Sequence, residues 1–466
     1  MRAASAGSWL RLTRPLPALR PMVPPALRSM VPHAPFAALQ SALPSALLAA
    51  MLSVALSVLL AAAPARAALY TVQPGRSLAG AVAGAAPGDT IRVLGGQHPG
   101  QLLIDKPLTL LGVDKPVISA GGKGDGVRIS ASDVTLSGFI VRDSGDDLTA
   151  QNAGVYVQPG AHRVAITDCD LVYNLFGIWL ERSDDARLLR NLVTGRRDLQ
   201  SAARGNGIQV YNTRGAQVIG NRISYTRDGI YVDVSRDALF RGNVIHHVRY
   251  GTHYMNTNHS TWEDNQVHDN RGGLALMEVR NLVVRRNQAW RNADHGIMLR
   301  TIQDSVIEDN VVAANGRGLF IYDAEYNVVR RNLVLGNETG VHLSAGSSNN
   351  QVDGNDFIGN QEQVRFVAAR DTEWGRSAGN YWSNYSGWDQ DGDGVGDFAY
   401  EANDLVDRLT WQYPLMQLLS ASPALRTLRY AARQFPVLRA PSVVDRRPRM
   451  QPYHPDWRRW NALFPR

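Results

Sequence analysis

Nine glycine-led segments recur through the middle of this chain, beginning at Gly154, Gly177, Gly207, Gly229, Gly251, Gly273, Gly296, Gly318 and Gly340, mostly 22 or 23 residues apart. Nearly all read Gly, apolar, variable, apolar, as in Gly177-Ile178-Trp179-Leu180, Gly229-Ile230-Tyr231-Val232 and Gly318-Leu319-Phe320-Ile321. That alternation marks a strand with one apolar face. One unit is too small to bury its own face, so the copies must stack into a continuous apolar interior with an outer surface set by the variable positions.

A second register runs alongside. Eight residues before the glycine, nine in one copy, stand Asn221, Asn243, Asn265, Asn287, Asn310 and Asn332. Stacked Asn side chains can bond to one another and to turn backbone along the stacking axis. With short apolar strands on both sides, as in Leu282-Val283-Val284 and Val328-Val329, the fold expected is all-β: a right-handed parallel β-helix with coils of about 22 residues. Cys169, the single cysteine, falls at the ladder position before Gly177 and is expected to replace one ladder Asn rather than to react or bind metal. The longer gap between Gly177 and Gly207 predicts a projecting loop near 195–205, on a side where solenoids often bind partners.

The chain divides by composition. Residues 1–67 hold arginines at positions 2, 11, 14, 20, 28 and 66 with no acid, an apolar stretch over 43–63, and Ala65-Arg66-Ala67 at the end, which reads as an export signal of the Sec type, an uncleaved anchor being the alternative. Without those arginines the formal charge falls from +7 to +1. A lone Cys suits an exported protein that does not depend on disulfides. The β-helix is expected over 68–380, an Asp/Gly cap over 381–410, and a basic amphipathic segment over 411–466. Residues 423–466 carry ten Arg against Asp445 and Asp456, leaving a mildly acidic body. A basic tail after an acidic solenoid is not the pattern of a nucleic-acid binder; it suits an anionic membrane surface or an acidic partner. Within it Leu428, Ala431, Ala432 and Phe435 share one helical face, with Arg429 and Arg433 near it, before prolines end the helix.

Equal offsets from each glycine stack one coil apart, about 4.8 Å. The third strand position gives Tyr156, Trp179, Gln209, Tyr231, His253, Ala275, Met298, Phe320 and His342, and the fifth gives Asp233, Met255, Met277, Arg300 and Tyr322 among others. Three methionines therefore converge with His253 on one expected exposed patch, and the small Ala275 is expected to leave a vacancy between His253 and Met298. Thioether and imidazole ligands suit Cu(I), so His253, Met255, Met277 and Met298 form a candidate copper site; an ordinary surface ladder is the alternative. His342 lies four coils from His253, too far to share an ion.

A second candidate is Asp389-Gln390-Asp391-Gly392-Asp393-Gly394-Val395-Gly396-Asp397. Carboxylates at Asp389, Asp391, Asp393 and Asp397, a glycine at relative position 6 and the Val395 carbonyl at 7 follow most of a calcium-loop pattern. Tyr400 stands where the bidentate Glu belongs. The expectation is a structural Ca2+ or other hard cation locking the exit from the β-helix.

Gly251-Thr252-His253-Tyr254-Met255, Ala275-Leu276-Met277, Gly379-Asn380-Tyr381-Trp382-Ser383-Asn384-Tyr385, Gly394-Val395-Gly396-Asp397 and Asn403-Asp404-Leu405-Val406-Asp407 together resemble the NosD family of periplasmic maturation proteins for nitrous oxide reductase. The resemblance spans nearly all of the chain after residue 67, and its C-terminal motifs are more specific than the β-helix. It implies a periplasmic, non-enzymatic subunit attached to the inner membrane through an ABC-type complex with the permease NosY and the ATPase NosF, accepting copper from the chaperone NosL and passing it toward nitrous oxide reductase. It also implies that the basic C-terminal segment docks on the transporter. The competing class is a polysaccharide-binding or polysaccharide-modifying enzyme (lyase, epimerase or hydrolase), with Tyr156, Trp179 and Tyr231 stacking on sugars and Asp228, Asp233 and His253 as acid–base candidates. The methionines in the fifth column speak against it. A scaffold that binds partners without metal is the third possibility.

Overall fold

The computed structural model describes residues 67–402 apart from 345 and 368, the single residues 413, 415 and 419, and the stretches 422–434 and 443–463. The expected export signal lies outside the described residues except for its last position, as do Asn403–Asp407 and Phe435. No helix among the described residues is long and apolar enough to cross a membrane.

The described chain is a parallel β-solenoid. Three sheets of 16, 12 and 13 strands run along it, each strand pairing with its counterpart one coil before and after. The glycine-led strands form the 12-stranded sheet, in which β1 (Asp228–Asp233), β2 (Tyr250–Met255), β3 (Gly272–Arg280), β4 (His295–Gln303), β5 (Arg317–Tyr322) and β6 (Thr339–Leu343) are consecutive neighbours. The glycines are demanded by space. A Cβ at Gly229 would lie 2.3 Å from Ile245 Cγ2, and one at Gly251 would lie 2.1 Å from Val267 Cγ1, because the strand turns its opening residue straight at the apolar row of the neighbouring sheet.

Each ladder Asn has its own corner. The residue before each ladder position, Cys169 included, is left-handed at Asp168, Arg190, Gly220, Gly242, Asp264, Arg286, Asp309, Arg331, Gly354 and Gly379, with φ between 51° and 71°. A left-handed non-glycine costs roughly 1–2 kcal/mol. The following Asn offsets it. In Asn265, which follows Asp264, Nδ2 donates to Phe240 O at 3.0 Å and to Asn287 Oδ1 at 2.9 Å, while the backbone N–H donates to the same Oδ1. Three buried bonds at about 0.5–1.5 kcal/mol each outweigh the strain. The ladder is longer than its sequence signature, running from Asn191 through Asn355 and Asn380. Cys169 starts it as expected: its N–H donates to Asn191 Oδ1, its thiol is fully buried, and burial pushes that thiol up to about 11. A second ladder, Asn270, Asn292, Asn315, Asn337 and Asn360, lines another corner.

Both ends are closed. At the start, α1 (Leu78–Gly84), capped by Ser77, tucks Leu78 and Val82 into the core. At the far end the chain returns: Val443–Asp445 pairs parallel to Glu373–Trp374 and antiparallel to Tyr400–Ala402. The buried Asp445 carboxylate ends the first Asn ladder by accepting from Asn380 N, Asn380 Nδ2 and Trp382 Nε1 at 2.9–3.0 Å. The backbone N–H groups of Tyr453 and His454 then donate to the buried Asp356 carboxylate, and Trp457 and Trp460 pack on Leu333, Leu335 and Ile358. Of the basic segment 411–466, residues 443–463 are therefore fastened to the solenoid. Pro423–Gln434 is a separate helix, α2, with Tyr430 exposed and Leu425 buried.

Candidate metal centre

The registers of the candidate site follow the glycine count. In the third column Tyr231 pairs with His253, His253 with Ala275, Ala275 with Met298, Met298 with Phe320 and Phe320 with His342. In the fifth, Met255 pairs directly with Met277, and Met277 with Arg300. The two thioethers thus sit one coil apart, His253 and Met298 two, and His342 four coils from His253. All alternate outward from the same face, since residues two apart on a strand share a side.

The surface differs from the expectation in one respect. Met277 is only 8% exposed and Ala275 not at all, so the patch is half-sunken and neighbouring side chains close over the expected vacancy. His253, Met255 and Met298 remain half-buried at the rim.

His253 is held by a buried acid. Its Nδ1 lies 3.0 Å from Asp228 Oδ2 and 3.3 Å from Arg249 Nη2, and Arg249 grips the same carboxylate through Nε at 2.8 Å and Nη2 at 2.6 Å. A carboxylate beside an imidazole lone pair would be repulsive, so the proton belongs on Nδ1 and the lone pair on Nε2, the tautomer a metal requires. Asp228 is 1% exposed. Burial pushes its carboxyl up, but the hydrogen bonds from His253 and Arg249 outweigh that and hold it below the ordinary value. Edge-on contacts from Tyr231 and Tyr250, with ring centres at 5.0 and 5.6 Å, fix the imidazole plane. His342 is built differently. Burial, reinforced by Arg365 and Arg317, pulls its pKa down to about 4, and its ring lies 5.0 Å from that of Phe320.

The Asp228–Arg249 clamp is the part of the site that the two columns do not contain. Its signal lies in the same repeat, one and two residues before the glycine: Asp228 and Tyr250 in one column, Arg227, Arg249 and Arg271 in the other.

The Asp/Gly loop brings Asp389, Asp391 and Asp393 together, with one oxygen of each within 4.8 Å of the others. Asp389 also accepts the N–H groups of Gly392, Asp393 and Gly394, which hold its carboxyl below the ordinary value, and Asp397 turns to Gln390 N. Tyr400 is buried and stacked on Trp382 at 4.2 Å, which removes relative position 12 from any ligand set. The Gly394 carbonyl accepts from Met450 N and Gly396 N donates to Pro448 O, so the loop abuts the returning strand.

Comparison with known proteins places this chain. The family model described as periplasmic copper-binding protein (NosD) matches residues 189–387, a span containing all four candidate copper ligands. A protein of Stutzerimonas stutzeri named "Probable ABC transporter binding protein NosD" is 42% identical over 376 residues, covering 77% of this chain and 86% of its own length. A protein of the same name from Pseudomonas aeruginosa is 43% identical, covering 76% and 87%. The chain belongs to the NosD family. Among solved structures, the Dettilon tailspike protein gp208 superposes with a TM-score of 0.50 at 12% identity, over 64% of this chain and 68% of its own, a likeness of fold alone. Within the NosD family the description is of binding proteins, and the Arg249 clamp on Asp228 argues in the same direction: a carboxylate gripped twice and buried is poorly placed as an acid–base group for a sugar.

Proposed function

We propose that this NosD-family chain binds Cu(I) at His253, Met255, Met277 and Met298 and passes it on during assembly of the copper sites of nitrous oxide reductase. The observation that carries the reading is the His253 imidazole, oriented by a buried carboxylate with Nε2 left for a ligand, beside a directly paired Met255 and Met277. Neutral thioether and imidazole donors match soft, low-coordinate Cu(I) and allow release, since no thiolate holds the ion. The partners are those of an ABC-type system: permease NosY, ATPase NosF, copper donor NosL and the reductase as acceptor, with the chain peripheral to the inner membrane on its periplasmic side. The exposed face of α2 is the segment we assign to docking on the permease. The Asp389, Asp391 and Asp393 carboxylates would hold a structural Ca2+ with weak affinity, because the set lacks its bidentate member.

The test is competition for Cu(I) against a chromogenic chelator. The wild type is expected to take up one Cu(I), Met255→Leu/Met277→Leu to lose at least about tenfold in affinity, and Asp228→Asn to lose about 10–100-fold through the freed imidazole. His342→Ala should bind as the wild type does. No uptake by the wild type, or equal loss in the His342 variant, would refute this site.

A further inference from the structure

Beside the metal centre lies a cleft of about 530 Å3 that the copper reading does not use. It is lined by Ser201, Arg204, Arg227, His247, Arg249 and Arg271, together with Ala202 and Val248. Arg227, Arg249 and Arg271 are a column, each two residues before its glycine and one coil apart. The opposite wall is the loop at 195–205, the insertion that breaks the 22-residue period.

That wall is built firmly. Gly195 and Gly205 sit where a Cβ would meet Tyr225 O at 2.5 Å and Leu175 O at 2.7 Å, so the loop leaves and rejoins the coil in close backbone contact. Gly205 O accepts Arg227 N–H at 2.8 Å, Arg204 Nε donates to Leu199 O at 2.8 Å, and the Arg197 guanidinium stacks 3.8 Å over the Tyr225 ring. Leu199 packs against Leu175, Phe176 and Trp179.

Charge in the cleft is one-sided. Of the cleft's arginines Asp228 engages Arg249 alone, its other side-chain partner being His253. Arg204 is met by carbonyls, which do not neutralise it. Arg227 and Arg271 have no carboxylate partner among the described residues, and Asp294, which continues their column, is engaged by Arg317 and His295. Four guanidiniums facing one space with one buried acid between them repel one another. Nothing in folding requires that arrangement, and a bound anion relieves it, with Arg forks matched to carboxylate or phosphate oxygens.

We propose that this cleft binds a small organic or condensed polyanion through carboxylate or phosphate groups. The volume is that of a small-molecule site rather than of a bare ion. The guanidinium column, stepping about 4.8 Å per coil, calls for two or more negative groups at comparable spacing.

The experiment is calorimetric titration of the purified protein, free of added copper, with citrate, tripolyphosphate, inorganic phosphate and a hexaglutamate peptide, each at low and physiological salt. Citrate or tripolyphosphate should bind with a heat that persists at physiological salt, inorganic phosphate at least tenfold more weakly. Arg227→Ala/Arg271→Ala should lose at least tenfold for the preferred probe. Arg187→Ala/Arg236→Ala, which removes the same charge from exposed positions elsewhere, should not. Binding lost equally in both double variants, or abolished by physiological salt, would mean diffuse charge attraction and would overturn the proposal. So would binding of hexaglutamate alone, which would make the cleft a seat for an acidic protein segment. Cu(I) uptake by Arg227→Ala/Arg271→Ala should be unchanged, so failure here and failure of the copper reading are separately visible.

Discussion

Two histidines of one column have opposite fates, decided by what stands beside each. His253 has a buried carboxylate at Nδ1 and stays oriented; His342 has Arg317 and Arg365 nearby and an aromatic ring, with a buried Nδ1 that no described group bonds. The consequence for His342 is a pH effect with a definite sign. Its pKa falls from the ordinary 6.5 to about 4 on folding, so below 6.5 the unfolded chain holds a proton that the folded one rejects. Its contribution to stability is complete above pH 6.5 and drains away as pH falls from 6.5 to 4. Replacing His342 by Phe, which keeps the stack on Phe320, is expected to flatten the decline in urea midpoint across that window. An unchanged slope in the variant would show that other groups dominate the acid limb. Asp228 is likewise held below its own ordinary value, by His253 and Arg249 against its burial, and matters only at lower pH.

Among elements, the Asn ladders carry the coil-to-coil order, and both are written in the sequence as fixed offsets from the glycine. The first keeps eight residues to the glycine in five of the six copies named, and reading it also locates Cys169 and the copper columns. The second ladder, through Asn270, Asn292, Asn315 and Asn337, stands three residues before the glycine in three copies and four at Gly296, where the first ladder also gains a residue, so a count at that second offset finds it equally well. The closure over Ala275 is not legible at all, because it depends on how neighbouring side chains turn rather than on the residue itself. The Asp228–Arg249 clamp is half legible: Asp228 shows its proximity to His253 by coil number, but its grip by Arg249 requires the column two places before the glycine. The ladder makes a quantitative prediction. Asn287 Oδ1 accepts from Asn265 N and Nδ2, and its Nδ2 donates to Trp262 O and Asn310 Oδ1. Asn287→Ala strands several fully buried groups at once and is expected to cost about 3 kcal/mol or more, at about 1–3 kcal/mol per unsatisfied group. Denaturant unfolding measures it; a cost under about 1 kcal/mol would mean that water enters the corner and replaces the amide.

For the whole solenoid the open question is what stops its ends from pairing further, since an unpaired strand row invites another chain. At the C-terminal end the answer is a returning segment with no trace of the glycine repeat, which is why the periodicity gives no hint of it. Asp445 imitates a ladder Asn, accepting where an Oδ1 would, and an antiparallel partner at Tyr400–Ala402 ends the sheet. The Asp/Gly loop touches this segment twice, through Met450 N to Gly394 O and Gly396 N to Pro448 O. A cation in the loop therefore stabilises the closure rather than the coils. With a dissociation constant of about 1 mM, in the weak class expected of an incomplete ligand set, 10 mM Ca2+ adds about 1.4 kcal/mol by mass action. That gain should appear locally. Protease cleavage of the 443–463 segment is expected to slow by about tenfold when Ca2+ replaces chelator, with cleavage within the central coils unaffected. Asp391→Asn/Asp393→Asn should cleave at the chelator rate under both conditions. Equal cleavage of the wild type with and without Ca2+ would show that the loop's own N–H groups, three of them on Asp389, are all that its carboxylates hold.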